Sequence, residues 1–405
     1  MPSPPEKSRA LLAILGFAFA AEGALYSAVT PVLPLLSRTL HMSGSQAGLM
    51  LSSYSAGIVA GSLLCVLVLR RVNARTGAVG SLALLSFSTL VFAWAQHYEI
   101  ALVFRLLQGI AGGATWTACV TWLLRGWPLE KRGEALSLSM GPAVVGTIAG
   151  PAIGTVAVDI GVQGSYTVVA LLCMGAAAWL FRMPRPPMRG DVEKRRPELR
   201  GRRRTLALLG AVVLTITGVL LGSMNLVAPL VLVERGAAER TAGVVFVIAA
   251  VLTVVAARPF GILVDNRGAI RTVAGGMLLT ALAFPFFGAS PGTYPTAALQ
   301  VVLLLANNLC YLSAGTLLSR EGERAGWSLN FVTAMTATVW GIGETAGALL
   351  AGVSLDQVGA LWTSVTGGAL AALMLAGVVV VGTRGRAARP SERQARPVSL
   401  DTEQS

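Results

Sequence analysis

The chain has 405 residues, 54% of them hydrophobic and 13% charged, with a mean hydropathy of +0.68. A soluble domain is about 25% charged, and burial saturates once cores stop growing, so no soluble fold of this length hides that much apolar surface. The net charge of +13 falls in short segments between apolar stretches without interleaved aromatics, which excludes a nucleic-acid surface and points to anionic lipid instead.

A helix that crosses a bilayer needs about 20 mostly apolar residues. In chain order this predicts spans over 10–35, 47–69, 78–95, 100–124, 135–158 and 165–181. A Pro- and charge-rich segment follows, then spans over 205–233, 242–264, 272–288, 294–318, 327–355 and 361–381. The expected fold class is therefore an all-α membrane protein of twelve helices. A six-helix bundle covers 1–181, a basic linker 182–204, a second bundle 205–383 and a polar tail 384–405. Linker and tail cannot bury enough apolar area to offset their ordering entropy, so disorder is expected there.

Loop charges test the count. One side holds Lys7 and Arg9; Arg70, Arg71 and Arg75; Arg125, Lys131 and Arg132; the ten Lys/Arg from Arg182 to Arg204; Arg267 and Arg271; Arg320 and Arg324; and the basic tail. The other side holds only Arg38, Arg235 and Arg240. That asymmetry predicts both termini in the cytoplasm of a plasma (inner) membrane protein. Lys7, Arg9 and Ala18-Phe19-Ala20 also resemble a secretory signal, but the apolar run continues through Val32 and Leu33. Cys65, Cys119, Cys173 and Cys310 lie inside apolar stretches without metal-ligand spacing and read as small buried hydrophobes. His41 and His97 fall in loops and read as solvated surface.

The halves echo each other. Ser45-Gln46-Ala47-Gly48 matches Arg240-Thr241-Ala242-Gly243, and Pro34 matches Pro229, both at an offset of 195; Gly146 and Gly150 match Gly343 and Gly347 at 197. A duplicated six-helix unit predicts a substrate cavity between the halves near mid-membrane, worked by rocking one half against the other.

Three segments carry motifs. Gly261-Ile-Leu-Val-Asp265-Asn-Arg267-Gly268-Ala-Ile-Arg271 lies in the turn after span eight; glycine there would let helix ends approach, and Asp265 could meet a helix N-terminus or an Arg across a gate. At the matching turn of the first half Arg70 and Asn73 replace the Asp and the second Gly. Arg105-Leu-Leu-Gln108-Gly109-Ile-Ala-Gly112-Gly113 in span four puts an arginine beside a close-packing glycine face, where it needs a carboxylate or carbonyl partner. Gly146-x-x-x-Gly150-Pro151-x-x-Gly154 in span five allows backbone contact and a proline bend.

Together these motifs resemble the major facilitator superfamily over nearly the whole chain, and within it the twelve-span drug:proton antiporters. The resemblance implies two six-helix bundles, export of small amphipathic compounds such as drugs or a secondary metabolite, proton coupling, no cofactor and a monomer.

Intramembrane acids mark ion pathways. Glu22 lies about 12 residues, roughly 18 Å, along span one, at a depth near that of Arg105. Burial favours a protonated carboxyl and a nearby guanidinium favours the carboxylate, so a group held between them can take up and release a proton. Glu344 in span eleven is a second such acid, open to a coupling or a structural role. Tyr26, Gln108, Trp116, Asn225, Asn307 and Asn308 are candidate cavity residues, the amides equally suited to bridging helices. Trp122 reads as packing, and Arg258 as snorkelling to the interface. No nucleotide-binding loop, catalytic triad motif or metal-ligand spacing occurs, which disfavours an enzyme. Two other readings stay open, a facilitator or proton symporter for a sugar or organic metabolite and a non-transporting membrane sensor.

Overall fold

The computed structural model describes residues 6–126, 132–183, 202–324, 327 and 329–387. Within them the chain forms eleven helices: α1 (Glu6–Thr39), α2 (Gly44–Val68), α3 (Ala74–Ala93), α4 (Tyr98–Gly126), α5 (Arg132–Ile160), α6 (Val162–Arg182), α7 (Arg202–Glu234), α8 (Glu239–Arg267), α9 (Ala269–Ala289), α10 (Thr293–Arg324) and α11 (Leu329–Ala387). Helix is the form that satisfies every backbone group inside one segment, as lipid requires. Most of the expected linker, and the tail beyond Ala387, lie outside the described residues.

The spans expected at 327–355 and 361–381 appear as one 59-residue helix. At 1.5 Å per residue a straight helix of that length would reach about 90 Å, nearly three bilayer cores. Gly359, with φ of 75°, breaks it into two arms, so the described chain has twelve helical rods and its two ends lie at the same face. That face is called here the terminal end, and the opposite one the far end. Ten helices are long and apolar enough to cross a membrane, α11 counted once. α4 is not among the ten, because Arg105, Gln108 and its glycines dilute its hydropathy. It packs instead against α2 and α3.

Two cores form. One gathers Leu15, Phe19, Leu82, Trp122 and Tyr166 from α1–α6. The other gathers Leu214, Met277, Phe284, Leu303 and Leu318 from α7–α11. Leu171, Leu172 and Phe181 of α6 and Val255 and Ile262 of α8 stay exposed, as lipid-facing side chains do. All four cysteines are free and buried. Trp122 is core, while His41, His97 and Arg258 are exposed.

The repeat is a repeat of contacts. A Cβ on Gly146 would run into the Ala20 carbonyl, and one on Gly150 into that of Ala24; Gly343 and Gly347 stand the same way against Thr215 and Val219. Both partners keep the 195 offset, so α1/α5 and α7/α11 are the same seam built twice. Gly154 continues the first seam at Ala28, and Pro151 sits inside α5 on its buried side.

Candidate functional site

α4 reaches its place through glycine. Gly109 and Gly113 lie directly on the carbonyls of Tyr54 and Ile58, and Gly57 and Gly61 of α2 lie on those of Leu106 and Ile110. The two helices thus meet backbone to backbone, which carries Arg105 into the bundle, 1% exposed. Its partners are carbonyls. Nη1 donates to Leu25 O and to Gln108 Oε1, and Nη2 to Tyr26 O, each at 3.0 Å. Gln108 in turn donates to Thr89 Oγ1 at 3.1 Å, so it orients the arginine rather than facing a cavity. The guanidinium also stacks over the Tyr54 ring, 4.1 Å from its centroid. No carboxylate bonds it among the described residues; the two backbone carbonyls, reached by the fork of guanidinium N–H groups, accept in its place.

Glu22 stands half-buried at the middle of α1, one turn from Tyr26. Opposite it is Gly112, whose added Cβ would come within 3.3 Å of Glu22 Oε1 and 3.1 Å of the Tyr54 hydroxyl. Tyr54 donates to the Glu22 backbone carbonyl at 3.4 Å. A glycine at 112 therefore leaves room for an acid and a phenol side by side.

Glu344 is 4% exposed on the first arm of α11. Its Oε1 accepts from the Tyr26 hydroxyl of α1 and its Oε2 from Ser55 Oγ of α2 at 2.9 Å. Asn225 of α7 lines the same small pocket with Thr30, Leu51, Gly222 and Arg105. The acid that sequence left between two roles is thus a joint between the halves, with donors 318 and 289 residues away in the chain.

Aromatic rings surround the joint. Trp340 lies 6.2 Å from Tyr26 and 6.0 Å from Tyr311, and Trp116 packs edge-on to Phe19 at 4.7 Å. Asn307 and Asn308 are not drawn into the Glu344 pocket, and their Oδ1 atoms are buried with no partner among the described residues. Sequence reasoning missed Tyr54, Ser55 and Trp340. The available signal for the first two was the polar run Ser52-Ser53-Tyr54-Ser55 inside an apolar span.

The turn after α8 behaves differently from expectation. Among the described residues nothing lies within 4 Å of a Cβ on Gly261. Gly268 is needed for its backbone, φ 82°, which starts α9. Asp265 pairs with Arg320 of α10 at 2.7 Å, inside its own half rather than across a gate, and Arg271 is exposed.

Every hydrogen bond or ion pair between α1–α6 and α7–α11, among the described residues, lies at mid-chain depth or towards the far end. These are Tyr26 and Ser55 with Glu344, Gly44 and Ser45 with Asp356, Arg38 with Glu239, and Arg240 with Asp159. Among the described residues, these links between the halves gather at mid-depth and at the far end.

The family model described as the Major Facilitator Superfamily matches residues 15–326. A chloramphenicol resistance protein of Streptomyces lividans is 24% identical over 87% of this chain and 92% of its own length. A synaptic vesicular amine transporter of Mus musculus is 23% identical over 64% of this chain, which spans about half (51%) of that relative. Among solved structures, a bacterial homolog of the human lysosomal transporter Spinster, in an inward-facing and unoccupied conformation, superposes with a TM-score of 0.76 at 13% identity. That match covers 96% of this chain and 100% of the other.

Proposed function

Since the chain belongs to the major facilitator superfamily, a family of membrane transporters and not of enzymes, we propose that it is a proton-coupled exporter of small amphipathic compounds. The observation that carries the reading is the convergence at mid-membrane of two acids, Glu22 and Glu344, with Arg105 beside them and Glu344 tying one half to the other. Acids so placed are costly unless they serve an ion or substrate path.

The positive-inside rule sets the termini in the cytoplasm and makes the far end the outside. The polar links between the halves then lie at the outer end and at mid-depth. Glu22 faces Gly112 and Tyr54, where a compound that reached the middle of the bundle would meet it. Tyr26, Trp340, Tyr311 and Trp116 supply rings for an aromatic or cationic substrate. A substrate held against Glu22 displaces its proton to the cytoplasm; after the halves rock outward, a proton from outside displaces the substrate. Glu344 reports the step between, because opening the outside must part it from Tyr26 and Ser55. Arg105 keeps α1 at a fixed height by gripping two of its carbonyls. Export of drug-like molecules is supported by the chloramphenicol resistance relative, and of amines by the vesicular relatives.

Purified protein in proteoliposomes, given an imposed pH gradient and either radiolabelled chloramphenicol or a fluorescent aromatic amine, tests this. Movement driven by the gradient is expected. Flux that ignores the gradient contradicts proton coupling, and no flux of any organic solute tried contradicts transport.

A further inference from the structure

The start of α2 and the start of α8 share an Ala-Gly pair at an offset of 195, and each meets an aspartate of the opposite half. Asp356, at the far end of the first α11 arm, accepts from Gly44 N at 2.7 Å through Oδ1; its Oδ2 accepts from Ser45 N at 2.8 Å and Ser45 Oγ at 2.6 Å. Asp159, at the far end of α5, faces Arg240 Nε at 3.5 Å. Ser45 and Arg240 are 195 residues apart, and Asp159 and Asp356 are 197 apart. These are the two offsets of the internal repeat, so the two contacts are one contact made twice.

One turn deeper the same symmetry holds. A Cβ on Gly48 would strike the Ala348 carbonyl and approach Gly352, and one on Gly243 would strike Thr155. Close helix contact lies beneath each aspartate, and both would have to open for the outside to open. Arg38 and Glu239 add a third link with no repeat counterpart, since position 233 is Val.

We propose that Asp356 and Asp159 are paired latches on the outer gate, positioning residues that touch no substrate and set how readily the protein opens outward. The assignment of the far end as outer rests on the orientation argued above. The latches are unequal. Asp356 gathers two backbone N–H groups and a hydroxyl at a helix N-terminus, where an anion is favoured by both dipole and geometry. Asp159 and Arg240 are 43% and 70% exposed with a single long contact, the kind of pair that solvent and salt weaken. Asp356 is the main latch and Asp159 the minor one.

Spin labels test it without any transport assay. His97→Cys and Tyr294→Cys place one label on each half at the far rim, both exposed and clear of the latch, while the four native cysteines are buried. Double electron–electron resonance should give mainly a short rim distance in the parent. Asp356→Asn should raise the long-distance population at least about threefold, because the amide NH2 must face one of the two backbone donors and the charge is lost. Ser45→Ala, which removes one of three bonds, should shift it less, and Asp159→Asn least. Unchanged distances in Asp356→Asn, with the labelled protein monodisperse, overturn the proposal. A larger shift in Asp159→Asn than in Asp356→Asn overturns the ranking. Because the readout is a distance, a failed flux assay and a failed latch remain separate results.

Discussion

The two halves share their packing and differ in their polar groups. The α1/α5 and α7/α11 seams use the same glycines on the same carbonyls, and Trp116 of the first half is matched 195 residues on by Tyr311. At the same offset, however, Arg105 becomes Gln300, Gln108 becomes Leu303 and Glu22 becomes Thr217. Gln300 is fully buried, and neither Oε1 nor Nε2 has a partner among the described residues. In the other direction Glu344 has Thr147 as its counterpart, 197 residues earlier. Duplication kept what holds helices together and let the charges diverge. Function is therefore to be sought where the repeat fails, at Glu22, Arg105 and Glu344.

The largest effect expected from this contrast is at position 105. Arg105→Ala removes the second hydrogen bond of the Leu25 and Tyr26 carbonyls and orphans Gln108 Oε1, the latter costing about 1–3 kcal/mol, and transport should be lost. Arg105→Lys keeps the charge but not the fork, and transport should fall at least about tenfold. Gln300→Met should do the opposite, removing a partnerless amide from an apolar site, with a melting temperature in detergent equal to or above the parent's. A Gln300→Met variant as damaged as Arg105→Ala would mean the halves share more chemistry than their residues suggest.

Next come the seams, where the halves should respond alike. Gly150→Val and Gly347→Val each push a side chain into a backbone carbonyl, and overpacking of this kind costs about 1–3 kcal/mol. Similar losses in thermal unfolding are expected; a tolerated variant in one half only would show that the seams are not equivalent.

The turns between helices differ again. Asn73 caps α3 with φ of −75° and its side chain accepts from Thr76 N at 2.9 Å, whereas Gly268 takes its place before α9 with φ of 82°. Gly268→Ala should destabilise by about 1–2 kcal/mol. Gly261→Ala, inside α8 with open space around it, should change stability by no more than about 0.5 kcal/mol.

The smallest effect expected is none. Partial burial pushes the Asp356 carboxyl up, but hydrogen bonds from Ser45 Oγ and from the Ser45 and Gly44 N–H groups outweigh it and hold it below the usual carboxylate range. A lowered value means the ionised latch is kept until pH falls through that value. Rim distances should therefore not change between about pH 7.5 and 5.5, and a release within that window would contradict the latch's ionised form.

Much of this architecture was legible in the sequence, for physical reasons. Bilayer thickness fixes the length of apolar runs, and GxxxG spacing together with a constant offset marks seams that only small residues permit. Arg105 was visible because an arginine beside glycines has no exit to lipid. Its partners were not, since a carbonyl carries no residue-specific signal. Ser55, Trp340 and Asp356 were hidden for another reason. Their contacts join chain positions roughly 300 residues apart, and which face of a helix meets the other half depends on its rotation, which period alone does not set. The break at Gly359 was legible too, because it falls in the gap between the spans expected over 327–355 and 361–381, although the residue of positive φ that makes it was not singled out.

The central claim is that Glu22 carries the proton. Glu22→Gln keeps the shape of the side chain and removes its charge, so the protein should fold, insert and still exchange labelled for unlabelled substrate across proteoliposome membranes. Accumulation driven by a pH gradient should be abolished in the same vesicles. Gradient-driven accumulation that survives in Glu22→Gln would contradict the account.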